Sequence, residues 1–336
     1  MHFVVKKKKN NFIAILRVIL SFMVVLDHFY DRKKLAKYTH ILYYHIPTFF
    51  LLSFYFTHNT FKTFNIDKIK LRFERIVLPY ICWNIVSFIL NNIYHFRLKW
   101  KCFHTFYDFY KNLLNGHMFI VSMWFQNILI LTTLIISIFV FSFKNQYILI
   151  FQIFMLLSYR FQYSGENYWF FRNYFSAHFR LNFGRFFETF PNSLTGFFLG
   201  VFKVPDNLRI YKVKTIFVCL FALIFASKFN FDTIIKGFKY AGIRLNMAAI
   251  CIFFIFFYLD EVLNIEKIKI LNIFTDFTAG IYFVHNLIGR GFFAKKLLGY
   301  KLNSIYGCIT IYLSSYILCF ILNKFIGNTK LKHLVK

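Results

Sequence analysis

An arginine, ten residues and a histidine, Arg17 to His28, stand inside the first long apolar stretch of the chain, "LRVILSFMVVLDHF". An imidazole is the side chain best suited to exchanging a proton near neutral pH, and a guanidinium is a fixed cation that suits phosphate oxygens. At about 100° per residue, eleven residues make three turns plus roughly 20°, so the two groups share one helix face about 16 Å apart along the axis. Asp27 is adjacent in sequence but about 100° away around the helix, so it is not read as the carboxylate that orients His28. Arg72 and Arg75, in "KIKLRFERIVLPY", are spaced i, i+3 and neighbour each other on a helix. On spacing alone they read as ordinary basic flanking of a membrane span. Glu188 is a candidate to orient or pair with the histidine, with nearby Arg185 as its competing partner. His285, in a late apolar segment, reads either as a substrate-binding group or as a packing histidine. Trp124 and Tyr282 read most simply as packing aromatics, whose faces also suit sugar rings.

The elements that must carry these residues are membrane helices. Of 336 residues, 58% are hydrophobic, 23% aromatic and only 16% charged, well above the roughly 45–50% apolar content of soluble domains. Apolar runs close to the roughly 20 residues that cross a bilayer recur over 11–30, 40–58, 74–95, 117–140, 146–160, 186–203, 213–229, 243–260, 271–290 and 303–326. The expected fold is all-α: a polytopic integral membrane protein with about ten transmembrane helices in one bundle. A single transmembrane domain over 11–326 follows a basic amino-terminal segment, 1–10, and precedes a basic tail, 327–336. The opening "MHFVVKKKKN" resembles the basic start of a secretory signal. Arg17 interrupts the apolar run behind it and no small-residue cleavage site follows, so this run is read as a retained first helix. The aromatic stretch 161–185 is expected to be interfacial or re-entrant, and His117 with the loop aromatics to form an interfacial belt.

The formal net charge of +28 sits mostly in short loops between apolar runs. There it anchors helices at anionic lipid headgroups, and no nucleic-acid partner is expected. Of the six cysteines five lie in apolar runs and none has CxxC spacing, so neither a disulfide framework nor a metal site is expected. Lys and Arg divide evenly between the two sides of the expected bundle, so a positive-inside count favours neither orientation. The "KKKK" just before the first helix favours a cytoplasmic amino terminus, and ten spans then leave the basic tail in the cytoplasm as well.

The order of the motifs carries a resemblance. Arg17 through His28 is followed by "IPTFFLLSFYF" (46–56), "RFERIVLPYICW" (72–83), "MWFQNILI" (123–130), "LTGFFLGVF" (194–202) and "AGIYFVHNLI" (279–288). Collinear over about 11–326, this set resembles the acyltransferase 3 family of integral membrane acyltransferases. The resemblance implies transfer of an acyl group, usually acetyl from cytoplasmic acetyl-CoA, to a hydroxyl of a bacterial surface polysaccharide (O-antigen, capsule or exopolysaccharide) or a lipid-linked glycan, in the bacterial inner membrane. It implies that His28 is the catalytic base or acyl carrier and that Arg17, Arg72 and Arg75 engage the CoA side. Other polysaccharide-synthesis proteins are possible partners. One position departs from the family pattern: Phe54 follows Ser53 where the family usually has glycine. Two other classes compete: a transporter or flippase for a glycan or lipid-linked intermediate, whose buried Arg and His would line a pathway, and a structural subunit of a polysaccharide-synthesis complex.

Overall fold

The computed structural model describes residues 10–30, 43–63, 65–98, 106–115, 123–143, 146–163, 183–228, 242–263, 274–292 and 304–335. His117 and the greater part of the aromatic stretch 161–185 lie outside the described residues, as does the basic start 1–9. Within the described residues the fold is all-α, with no strand. Twelve α-helices follow in order: α1 (Asn11–Phe29), α2 (His45–Lys62), α3 (Ile66–Leu98), α4 (Phe106–Asn115), α5 (Trp124–Phe143), α6 (Tyr147–Tyr163), α7 (Phe183–Val201), α8 (Val204–Asn207), α9 (Lys212–Lys228), α10 (Ile243–Leu263), α11 (Thr278–Asn286) and α12 (Ile305–Ile326). Short 3₁₀ turns at Arg209–Tyr211 and Lys330–Leu334 and a π-helical turn at Leu287–Phe292 complete them.

Five helices are long and apolar enough to cross a bilayer: α1, the Ile66–Leu90 part of α3, α5, α10 and α12. The other five expected spans also fall on helices, but shorter or more polar ones. α2 carries buried His45 and Thr48, and α7 carries buried Glu188, Thr189, Asn192 and Ser193. The count of ten crossings is therefore not reached by length and hydropathy alone. The polarity of α7 is absorbed within the helix itself: Thr189 and Ser193 hydroxyls bond back to the carbonyls of Arg185 and Thr189, and Thr195 to that of Pro191. Such back-bonding satisfies hydroxyls that lipid cannot.

α2 and α7 pack so closely that a side chain at Gly196 would strike the Leu51 backbone, and one at Gly200 the His58 ring. Two glycines four residues apart permit this approach. Tyr55 meets Phe253 and Phe257, and eleven residues earlier Tyr44 meets Arg244, so α2 lies beside α10 in parallel register. α1 runs antiparallel to α10: the Asn10 amide donates to the Phe257 carbonyl and the Asn11 backbone N–H to Asp260. Asn10 also caps α1, its side-chain oxygen accepting from the Ile13 N–H at 2.8 Å. These pairings define two layers. The proximal layer holds the start of α1 with the end of α10; the distal layer holds the end of α1 with the starts of α2 and α10.

The basic carboxyl-terminal segment is docked into the bundle. A 3₁₀ turn capped by Thr329 brings the Leu334 carbonyl to the Trp83 indole N–H at 3.0 Å. Val335 is fully buried against Gly280, where any side chain would collide with its backbone and with Cys319.

Candidate active site between α1 and α11

Arg17 and His28 both turn toward α11. The Arg17 Nη2 donates to the Thr278 hydroxyl at 3.1 Å, and that hydroxyl donates to the Thr275 carbonyl at 3.0 Å. Asp276 adds a favourable charge to Arg17. Three turns on, the His28 ring lies 5.1 Å from that of His285, tilted 41°. Thr278 and His285 are seven residues apart, which is close to two turns and so one helix face. α1 and α11 therefore run parallel with matched faces, Arg17 against Thr278 and His28 against His285.

His285 is fully buried, and its Nδ1 is 3.0 Å from the Ile281 carbonyl. A carbonyl can only accept, so Nδ1 carries the proton and the neutral ring has its lone pair on Nε2. Immediately past this histidine the backbone loosens into the π turn Leu287–Phe292, a form that concentrates at functional sites. Gly289 within that turn has the Phe29 ring where its own side chain would stand. Phe29 also meets His285 edge-on at 6.2 Å. The glycine thus seats the last turn of α1 so that the two imidazoles face one another.

The two arginines of the third span part company. Arg72 is drawn inside: its Nη2 donates to the Ser53 hydroxyl at 3.0 Å and its Nε to the Thr133 hydroxyl at 3.3 Å. Its guanidinium lies 4.9 Å above the Phe54 ring and 5.6 Å above that of Phe61. Phe54 is fully buried and gives Arg72 an aromatic floor. Arg75 is exposed, and beside it stand Glu74 on the same helix and Lys332 and His333 of the docked tail. Burial first, then the charges of Arg75 and Lys332, lower the His333 pKa below its usual value, while Glu74 opposes them. Trp83 meets Phe283 at 6.4 Å, so α3 is level with α11 and Arg75 lies near the depth of Thr278. Arg17, Arg72 and Arg75 thus all occupy the proximal half.

Glu188 is paired with Arg185 at 2.6 Å, and Arg185 lies 5.2 Å over the Trp124 ring. These three form one cluster on the starts of α5 and α7, at the distal end. Among the described residues Glu188 is held by Arg185, its competing partner in the sequence. A row of rings joins the cluster to the histidines: Trp124 with Phe125 at 6.3 Å, Phe125 with Tyr282 at 5.2 Å and Tyr282 with His285 at 6.0 Å. Asp27 is 5% exposed, inside the bundle at a position turned away from the Arg17–His28 face. The site residues that spacing did not single out are Thr278, Ser53 and Thr133, which hold the two arginines, and Phe29 with Gly289. Thr278 had a legible signal, its two-turn distance from His285. Ser53 and Thr133 had none, because a hydroxyl on another helix leaves no local pattern.

This is the architecture of an integral membrane enzyme whose cations and imidazoles are gathered on facing helices. The model of the acyltransferase 3 family, described as an acyltransferase domain, matches residues 10–324, and the chain belongs to that family. It is a membrane-embedded acyltransferase. No curated protein and no solved structure matches the chain.

Proposed function

We propose that the protein transfers acetyl from cytoplasmic acetyl-CoA to a hydroxyl of a bacterial surface polysaccharide or its lipid-linked precursor, from a site in the inner membrane. The observation that carries this reading is the matched pairing of α1 with α11, which holds a cation and an imidazole on one face at two depths. The proximal layer is then cytoplasmic, with the amino terminus and the tail on that side. Exposed Arg75 meets the phosphates of the donor, and Arg17 lies on the path inward. Arg72, held by Ser53 and Thr133, acts as a positioning residue for the α2–α3–α5 contact rather than as half of a fork with Arg75.

The chemistry falls to His28. The acceptor hydroxyl gives its proton to the neutral imidazole as its oxygen attacks the thioester carbonyl. The C–S bond breaks, and the imidazolium returns the proton to the departing thiolate. His285, with its Nδ1 proton committed to Ile281, stands against the His28 ring and sets its orientation. On the distal side Trp124 and Tyr282 offer aromatic faces to sugar rings, and Glu188 acts through Arg185, which it holds over Trp124. In cells, His28→Ala is expected to abolish glycan acetylation, read as acetyl signals by NMR of the isolated polysaccharide. Unchanged acetyl content at normal expression overturns the assignment.

A further inference from the structure

One partly buried cation of the bundle has no part in the donor path. Arg244 stands at the start of α10, partly buried. Its Nε and Nη2 are shielded from solvent, and neither closes a hydrogen bond on another described residue. No ion pair among the described residues includes Arg244. The Tyr44 hydroxyl lies against the guanidinium as its hydrogen-bonding neighbour and has no other partner among the described residues. Native interiors leave few such groups, and each calls for an explanation. Nε and Nη2 make up one edge of the guanidinium. Two parallel N–H bonds from that edge match the two oxygens of a carboxylate or phosphate, and a phenol beside it supplies a third donor.

The register of the helices places this edge at the depth of the histidines. α1 and α10 are tied at Asn11 and Asp260. Counting seventeen residues up α1 reaches His28 and sixteen back along α10 reaches Arg244, about 25 Å on each helix. α2 lies beside α10 in parallel, with Tyr55 against Phe253 and Phe257. Eleven residues earlier on α2, and about as many earlier on α10, Tyr44 and Arg244 meet. α1 packs against both of these helices. The three side chains thus belong to the same distal layer, where the acceptor hydroxyl must arrive.

We propose that Arg244 and Tyr44 form an anion-holding subsite for the acceptor, which is a sugar bearing a carboxylate or phosphate near the hydroxyl that is modified. This rests on the reading of the distal layer as the acceptor side. An uncharged acceptor would leave a buried guanidinium edge unmatched, whereas an acidic sugar fills it and fixes its hydroxyl relative to His28.

The test is a binding measurement, independent of turnover. Purified protein in a neutral detergent is titrated calorimetrically with 4-nitrophenyl glucoside, 4-nitrophenyl glucuronide and the 6-phosphate of the glucoside. The wild type is expected to bind at least one anionic probe about tenfold or more tightly than the neutral one, and which one it prefers assigns carboxylate or phosphate. His28→Ala keeps this preference, so failed catalysis and failed recognition are separable. Arg244→Gln levels the three affinities, Arg244→Lys retains part of the preference, and Tyr44→Phe loses several-fold for the anion alone. Equal affinities in the wild type, or a preference that survives Arg244→Gln, overturn the proposal. If phosphatidylglycerol stabilises the wild type but not Arg244→Gln while no sugar discriminates, the edge anchors a lipid headgroup and the proposal is also overturned.

Discussion

At the residue scale the site is set by what each charged group touches. Arg17 meets α11 through a single hydroxyl, Thr278. A hydrogen bond to a charged group is worth about 1.5–3 kcal/mol, so Thr278→Val is expected to lower kcat/KM by roughly ten- to a hundredfold in a steady-state acyl-transfer assay. Thr278→Ser retains the hydroxyl and is expected to stay near wild type; equal rates for both variants would remove Arg17–Thr278 from the account. Phe54 makes a second case. Its ring lies beneath the Arg72 guanidinium, 4.9 Å from ring centroid to Cζ. Phe54→Leu keeps most of the volume and removes the aromatic face, at a cost of up to about 2 kcal/mol for a desolvated cation–π contact. Unfolding in detergent should register that loss, and an Arg72→Leu background should erase it. The arginines at 72 and 75 also show the limit of local pattern. Their i, i+3 spacing was legible, but one turns inward because Ser53, Thr133, Phe54 and Phe61 surround it, and those partners come from other helices.

At the element scale, α11 and its π turn are the device that aims the histidines. A methyl group at Gly289 would occupy the place of the Phe29 ring. Overpacking of this kind costs about 1–3 kcal/mol and shifts the end of α1. Gly289→Ala is therefore expected to lose transfer activity more than stability, read by comparing kcat with the unfolding midpoint. An unchanged kcat would mean that the Phe29 seat does not aim His28. The docked tail is the second device. The His333 pKa is lowered, by burial first and then by Arg75 and Lys332. The unfolded or undocked tail therefore binds the proton more readily than the docked one. Docking of the tail is strongest above the ordinary histidine pKa of about 6.5 and weakens as the pH falls through the depressed value. Trp83 donates to the tail at Leu334, so limited proteolysis of the tail, or Trp83 fluorescence, should report release on mild acidification, and His333→Gln should remove the pH dependence. Nothing in "KLKHLVK" announced this docking. Its cause is Gly280 on a distant helix, whose missing side chain admits the Val335 backbone.

At the scale of the whole molecule, the sequence made the all-α membrane fold legible because lipid tolerates little else. The described part of each of the ten apolar segments falls mainly on a helix, and α1, α3, α5, α10 and α12 could be read directly from length and hydropathy. The remaining segments were harder, since α2 and α7 replace lipid contact by contact with one another and carry polar groups inside. The division of labour between layers was only half legible. Spacing placed Arg17 and His28 on one face, but it took the antiparallel α1–α10 and parallel α1–α11 pairings to show Arg72 and Arg75 at one depth with Arg17, and His285, Trp124, Glu188 and Arg244 at the other depth with His28. Sequence distance between His28 and His285 hides their contact entirely. The reaction depends on what His28 does in that arrangement. Acetyl transfer to acceptor and acetyl-CoA binding should be measured side by side on purified wild type and His28→Ala. In His28→Ala transfer is expected to fall by about 10²–10⁴-fold while donor affinity stays within a few-fold. Transfer that persists at the wild-type rate in His28→Ala would contradict that expectation.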